Sequence, residues 1–168
     1  MSQLKPFNLQ AWINENRQHL KPPVGNKAMW NGQFLVMIVG GPNARTDYHI
    51  NPGEELFYQV EGDVVIRIIA DGKPHDVPLK QGEIFLLPAG IPHSPQRPAG
   101  TVGLVVEHPG CFTADHHLRW YCRGCSGTVH DAVFKPADIG AQIKAMLAEF
   151  NGNESLRKCK NCGEVFSI

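Results

Sequence analysis

The 168-residue chain has no charge of one sign in excess: Lys+Arg and Asp+Glu both count 16, and the formal net charge is zero. No basic face is implied, so nucleic acid and anionic membrane surfaces are not expected partners. Long apolar runs are also missing. None approaches the length that crosses a bilayer, and the opening stretch "MSQLKPFNLQAWINENRQHL" has no apolar signal core, so a soluble, cytoplasmic protein is expected. Five cysteines, an odd count in a chain read as having no export signal, argue against a disulfide framework and for thiol or metal chemistry. Internal repeats and low-complexity segments are absent too, and the length suits one domain with a real core and a small appendage.

What is present changes character along the chain. Asn8 is placed to cap a short amphipathic helix with Leu9, Trp12, Ile13 and Leu20 near one face, and "KPPVGN" stops it. From Gln33 to Glu107, short apolar runs such as "QFLVMIVGG", "ELFYQV" and "DVVIRIIADG" alternate with turn residues, the pattern of an antiparallel β-sandwich or barrel. Asp71-Gly72 marks a hairpin turn. Beyond Cys111, Pro136 begins a helical stretch in which Ile139, Ile143, Met146, Leu147 and Phe150 recur at helical spacing. Trp30 and Trp120 read as core. The expected division is 1–110 as N-terminal helix and barrel, and 111–168 as an appendage packed with it as one unit.

Within "TDYHINPGEELFYQVEG", an extended segment places Arg45, Asp47 and His49 on one face, because side chains alternate with period two. After the Asn51-Pro52-Gly53 turn, Glu55, Phe57 and Gln59 share one face and Glu54, Leu56 and Tyr58 the other. Inside a small apolar barrel, Arg45, His49 and Glu55 would be costly unless they bind something. His93, in "GEIFLLPAGIPHSPQRP", offers a second imidazole. Two imidazoles and a carboxylate suit Fe(II), Mn or Zn and leave coordination positions open. Taken singly, each has a plainer reading as a satisfied strand histidine, a solvated carboxylate and a loop histidine.

Cys122-Arg-Gly-Cys125 and Cys159-Lys-Asn-Cys162 are paired knuckles on either side of the C-terminal helix. Four thiolates fill a tetrahedral Zn or Fe site completely, so a structural ion is expected there. Cys111 stands apart and reads as a buried free thiol.

The barrel residues resemble the two motifs of the cupin family. The first appears as Gly41, Asp47-Tyr48-His49, Glu55 and Gly62, the second as Gly82, Pro88-Ala89-Gly90 and His93. Asp47 stands where that family has a first histidine, and the gap from His49 to the carboxylate is five residues if Glu55 is the ligand. Glu54 would restore the shorter gap; the parity of Glu55 with Phe57 and Gln59 favours Glu55. Together with the knuckles, "KPPVGN", "GGPNARTDYH", "EELFYQ", "IFLLPAGIPHSPQRP" and "WYCRGC" make the chain resemble the bacterial 3-hydroxyanthranilate 3,4-dioxygenase family over nearly its whole length.

That resemblance implies a mainly β protein: a cupin double-stranded β-helix, or jelly-roll barrel, with an N-terminal helix and a small C-terminal helix plus tetra-cysteine site. It implies Fe(II) at His49, Glu55 and His93 and a rubredoxin-like second iron, or zinc, at Cys122, Cys125, Cys159 and Cys162. The substrates would be O₂ and 3-hydroxyanthranilate, opened to 2-amino-3-carboxymuconate semialdehyde on the route to quinolinate and NAD, in a homodimer.

Substrate contacts would come from Arg45, Glu55, Arg97 and Glu107, with Arg45, Asp47 and Glu107 as the catalytic groups. Arg97 matches a carboxylate bidentately, Glu107 accepts from the substrate amine, and Arg45 favours a developing oxygen anion. A structural Arg45–Glu107 ion pair and a surface Arg97 are the plainer readings. Another metal cupin enzyme and a ligand-sensing cupin remain open classes; the pair Arg45 and Arg97 favours an acidic substrate.

Overall fold

The computed structural model describes residues 5–20, 25–43, 45–108 and 113–168; Cys111 and the first four residues of "KPPVGN" lie outside them. Eleven strands run in chain order: β1 (Asn26–Asn31), β2 (Leu35–Gly40), β3 (Tyr48–Ile50), β4 (Glu55–Glu61), β5 (Val64–Ala70), β6 (Lys73–Leu79), β7 (Ile84–Leu87), β8 (His93–Gln96), β9 (Val102–Glu107), β10 (His116–Tyr121) and β11 (Thr128–Phe134). Three α-helices accompany them, α1 (Leu9–Asn16), α2 (Ile139–Gly152) and α3 (Glu154–Arg157), with a single 3-10 turn at Arg17–His19 after α1. The strands form two antiparallel sheets, ordered β1-β2-β9-β4-β7 and β11-β10-β3-β8-β5-β6.

Alternation decides what enters the space between the sheets. Along β4, Glu55, Phe57 and Gln59 are buried while Leu56 and Tyr58 are half-buried on the outer face. The interior cluster joins Leu35, Met37, Phe57, Ile66, Val105, Leu118 and Trp120; each such side chain contributes roughly 1.5–3 kcal/mol through burial. A second cluster, Ile13, Leu20, Ile38 and Val102, seats α1 on the outside of the first sheet. Asn8 caps α1 by accepting from the Ala11 N–H at 2.9 Å. Asp71 and Gly72 both have positive φ, 51° and 72°, as a two-residue hairpin between β5 and β6 requires.

The turn at Asn51-Pro52-Gly53 does not join hydrogen-bonded neighbours. It carries the chain from β3 in the six-stranded sheet to β4 in the five-stranded sheet. Residues on its two sides therefore face each other across the interior, which explains why polar groups stand where buried alternation resumes.

The segment after residue 112 contributes more to the sheets than the sequence pattern indicates. No strand is legible there, yet β10 pairs with β3, with Leu118 opposite His49, and β11 extends the same sheet. Trp30 is a second difference. Read as core, it lies on the edge strand β1, is 42% exposed, and packs on Phe7 at 5.1 Å. Trp120 is fully buried and stacks on Phe150 of α2 at 4.1 Å and 12°.

Candidate active site

His49 on β3, Glu55 at the start of β4 and His93 at the start of β8 converge between the sheets. His49 and His93 are cross-strand register partners, and Glu55 approaches from the opposite sheet. One donor atom from each lies within 4.8 Å of the other two, and all three residues are buried. Glu55 Oε1 is 3.4 Å from His93 Nε2 and 3.6 Å from His49 Nδ1. Burial drives the His49 imidazole well below its ordinary pKa, more than Glu55 raises it, so it is neutral, the form that ligates a metal. Burial resists ionisation of Glu55, but His93, His49 and the Asn51 amide outweigh it and hold the carboxyl low. Two imidazoles and one anionic oxygen fit a divalent first-row metal.

Around this group lies a cavity of about 100 Å³ lined also by Arg45, Arg97 and Glu107, so six of the residues singled out from sequence face one space. Asp47 is fully buried beside it and ion-pairs with Arg45, whose Nε donates to Asp47 Oδ1 at 3.1 Å. Burial opposes the charge of Arg45, and Asp47 more than offsets it, so the pKa is raised. Arg45 therefore pairs with Asp47, not with Glu107.

Arg97 is not a surface residue. It is 4% exposed, and its Nη1 donates to Gln59 Oε1 at 3.3 Å. Among the described residues no carboxylate lies within ion-pair distance of it. Burial, with repulsion from Arg45, lowers its pKa to about 10, which leaves it cationic at neutral pH. Gly103 makes room for it: a Cβ there would lie 2.8 Å from Arg97 Nη1 and 3.0 Å from Gln59 Oε1.

Glu107 is the register partner of Glu55 on β9, so two carboxyl groups share one buried face. Burial and the Glu55 charge push its pKa up to about 9, which makes it a neutral acid at pH 7. Asn51 ties the pair together: Nδ2 donates to Glu55 Oε1 at 2.9 Å and to Glu107 Oε2 at 3.1 Å, and Oδ1 accepts from Gly53 N–H at 2.9 Å. The sequence marks Asn51 as a turn residue, and its parity with Arg45, Asp47 and His49 also places it on their face. Ile139, Ile143 and Leu147 of α2 also line the cavity; helical spacing identified them as apolar without indicating that they would close this space.

The four knuckle cysteines form a second group, with sulfurs within 4.8 Å of one another. The two knuckles repeat one backbone pattern. Cys122 N–H donates to Gly127 O and Ser126 N–H to Cys122 O; Cys159 N–H donates to Glu164 O and Gly163 N–H to Cys159 O. The left-handed residue after each second cysteine is Gly163 in one knuckle but Ser126, not Gly127, in the other. At Gly127 the two knuckles approach each other: a Cβ there would lie 2.3 Å from Asn161 Nδ2, so the Asn161 side chain would have to move aside. Backbone N–H groups of Cys162 and Asn161 lower the Cys159 thiol to about 7, which favours thiolate, the ligating form.

A double-sheeted barrel with a buried His/Glu/His group is a metal-competent cupin, and a cupin-2 domain protein from Shewanella frigidimarina superposes with TM-score 0.51 at 18% identity, over 64% of this chain and 99% of that one. The family model described as 3-hydroxyanthranilic acid dioxygenase matches residues 1–151, and the chain belongs to that family. Its relatives are fungal as well as bacterial. The 3-hydroxyanthranilate 3,4-dioxygenase of Neurospora crassa is 49% identical over 94% of this chain and 88% of its own length. Enzymes of the same name from Xanthomonas campestris strain B100 and Scheffersomyces stipitis are each 46% identical, over 95% and 96% of this chain and 91% and 95% of their own.

Removing the Asn51 amide leaves two buried carboxyl groups without their shared donor. Asn51→Ala should destabilise the fold by about 1–3 kcal/mol at neutral pH, the desolvation cost of an unsatisfied buried group. Urea unfolding measures this; an unchanged midpoint would mean that Glu55 and Glu107 share a proton directly.

Proposed function

We propose that the chain is an Fe(II)-dependent, ring-cleaving dioxygenase that converts 3-hydroxyanthranilate and O₂ to 2-amino-3-carboxymuconate semialdehyde. The observation that carries the substrate assignment is Arg97: a buried guanidinium, without a carboxylate partner among the described residues, beside a His/Glu/His group. Isolated buried charge is strongly unfavourable, so this cation suits a site completed by an acid. The names of the relatives agree with an aromatic acid of this kind.

His49, Glu55 and His93 are the residues that hold the catalytic ion. When bound, Fe(II) supplies a template for the hydroxyl and amine of the substrate and the redox chemistry that joins O₂ to the ring. Arg97 donates two parallel N–H bonds to the substrate carboxylate and so fixes the ring in its plane. Glu107, a neutral acid in this environment, holds its proton beside the expected amine. Arg45, braced by Asp47, sets a fixed positive charge where negative charge develops on oxygen. Ile139, Ile143 and Leu147 cover the ring and exclude water. Cys122, Cys125, Cys159 and Cys162 hold a second iron, or zinc, with a structural role. A cytoplasmic homodimer completes the reading; Ile84 and Leu86, 65% and 52% exposed on the edge strand β7, suit a second copy.

Glu55→Ala should abolish Fe(II) binding at the barrel site and leave the thiolate-bound metal in place, because three ligands are the minimum for an open site. Glu54, exposed on the outer parity, should be replaceable by Ala with activity retained. Metal analysis and turnover of both variants decide: an iron-free, dead Glu54→Ala beside an iron-loaded, active Glu55→Ala would reverse the ligand assignment.

Arg97→Ala should lower kcat/KM for 3-hydroxyanthranilate by about 1.5–3 kcal/mol, roughly 10- to 150-fold. 2-Aminophenol keeps the chelating pair and lacks the carboxylate, so the wild type should use it poorly and the mutation should cost little more. Equal losses on both compounds would show that Arg97 serves the fold and not the carboxylate.

A further inference from the structure

Strand β10 brings one more buried ring against the metal-binding group. His116 is 0% exposed, and its Nδ1 lies 2.9 Å from His49 Nε2, with ring centroids 5.1 Å apart and planes at 30°. Phe134, its register partner on β11, packs 5.6 Å from His116 and 6.3 Å from His49, laying an apolar ring along both imidazoles. The other ring nitrogen of His49, Nδ1, faces Glu55 at 3.6 Å, on the inner side of the site.

A neutral imidazole carries one proton, and only its unprotonated nitrogen ligates a metal. An N···N contact of 2.9 Å requires one proton between the two rings. If His49 carries that proton on Nε2 and His116 Nδ1 accepts it, the lone pair on His49 Nδ1 points toward Glu55. In the other tautomer, the Nδ1 proton of His49 would point toward Glu55 and occupy the lone pair needed for metal. The contact therefore decides whether His49 is a competent ligand.

We propose that His116 is the positioning residue that fixes the tautomer and ring orientation of His49 for metal binding. This rests on the reading of His49, Glu55 and His93 as the ligands. It also gives the C-terminal segment a part in the barrel site, since β10 supplies His116 and leads directly into the first cysteine knuckle.

The test uses the full chain with metal in its four-cysteine site and compares anaerobic Co(II) affinity and the Co(II) visible spectrum in three proteins. His116→Leu fills the space without an acceptor, whereas His116→Asn places an amide oxygen near the former Nδ1. His116→Leu should weaken Co(II) binding about 10- to 100-fold, the range for an outer partner of a ligating histidine, and alter the spectrum. His116→Asn should recover most of that loss.

Wild-type affinity in His116→Leu, or equal loss in both variants, would overturn the proposal and leave His116 a space-filling ring. A wild-type Co(II) spectrum indifferent to Glu55→Ala would instead overturn the ligand assignment beneath it. Nitrogen-15 NMR of the zinc-loaded wild-type chain gives an answer even where His116→Leu fails to fold: a proton on His49 Nε2 with metal at Nδ1 is expected, and the reverse contradicts the proposal.

Discussion

Charge compensation inside the barrel is the constraint on which the rest of this structure depends. Arg45, Asp47, His49, Asn51, Glu55, His93, Arg97 and Glu107 crowd a space that a small β-barrel ordinarily fills with hydrocarbon. Most of this set is balanced from within. Arg45 and Asp47 neutralise each other, Glu55 is flanked by two imidazoles, and Glu107 avoids charge by holding its proton. Arg97 remains a cation that meets a glutamine oxygen and, among the described residues, no carboxylate. A metal between the imidazoles and Glu55, and an acid against Arg97, would complete the balance.

The fold achieves this convergence by changing sheets at one turn. Because β3 and β4 belong to opposite sheets, the Asn51-Pro52-Gly53 corner aims His49 and Glu55 at a common point and leaves Asn51 between Glu55 and Glu107. The C-terminal segment closes the arrangement. Phe150 of α2 is clamped between Trp120, two residues before the first knuckle, and Phe166, four residues after the last cysteine, at ring distances of 4.1 and 5.6 Å. Fixing the knuckles thus fixes the end of the helix whose other turns line the cavity. In this way the four-cysteine group, remote in sequence from the barrel strands, bears on how firmly the cavity is closed.

Much of this was legible in the sequence because strand parity is a strict rule. Period-two alternation puts Glu55 inside and Glu54 outside and groups Arg45, Asp47 and His49; Asp47 and His49 are buried, while Arg45 is half-buried and lines the same cavity as His49. Parity fails where it is not applied. The "HHLRWY" stretch alternates His116, Leu118 and Trp120 inward, but with histidine and charge on intervening positions it gives no apolar run that marks β10 as a strand. Trp30 shows the opposite error: a large aromatic implies core only if its strand is covered on that side, and β1 is an edge. Contacts such as His116 with His49 depend on cross-strand register between distant segments, which no local pattern encodes.

On the proposal made above, this charged interior holds one ferrous ion and one aromatic acid. Anaerobic reconstitution with Fe(II), followed by addition of 3-hydroxyanthranilate and air with ultraviolet and oxygen-electrode monitoring, addresses it directly. The account predicts loss of the aromatic absorbance, growth of the ring-opened semialdehyde, and one O₂ consumed for each substrate. Protein carrying iron at the His/Glu/His site that leaves 3-hydroxyanthranilate intact in air would contradict it.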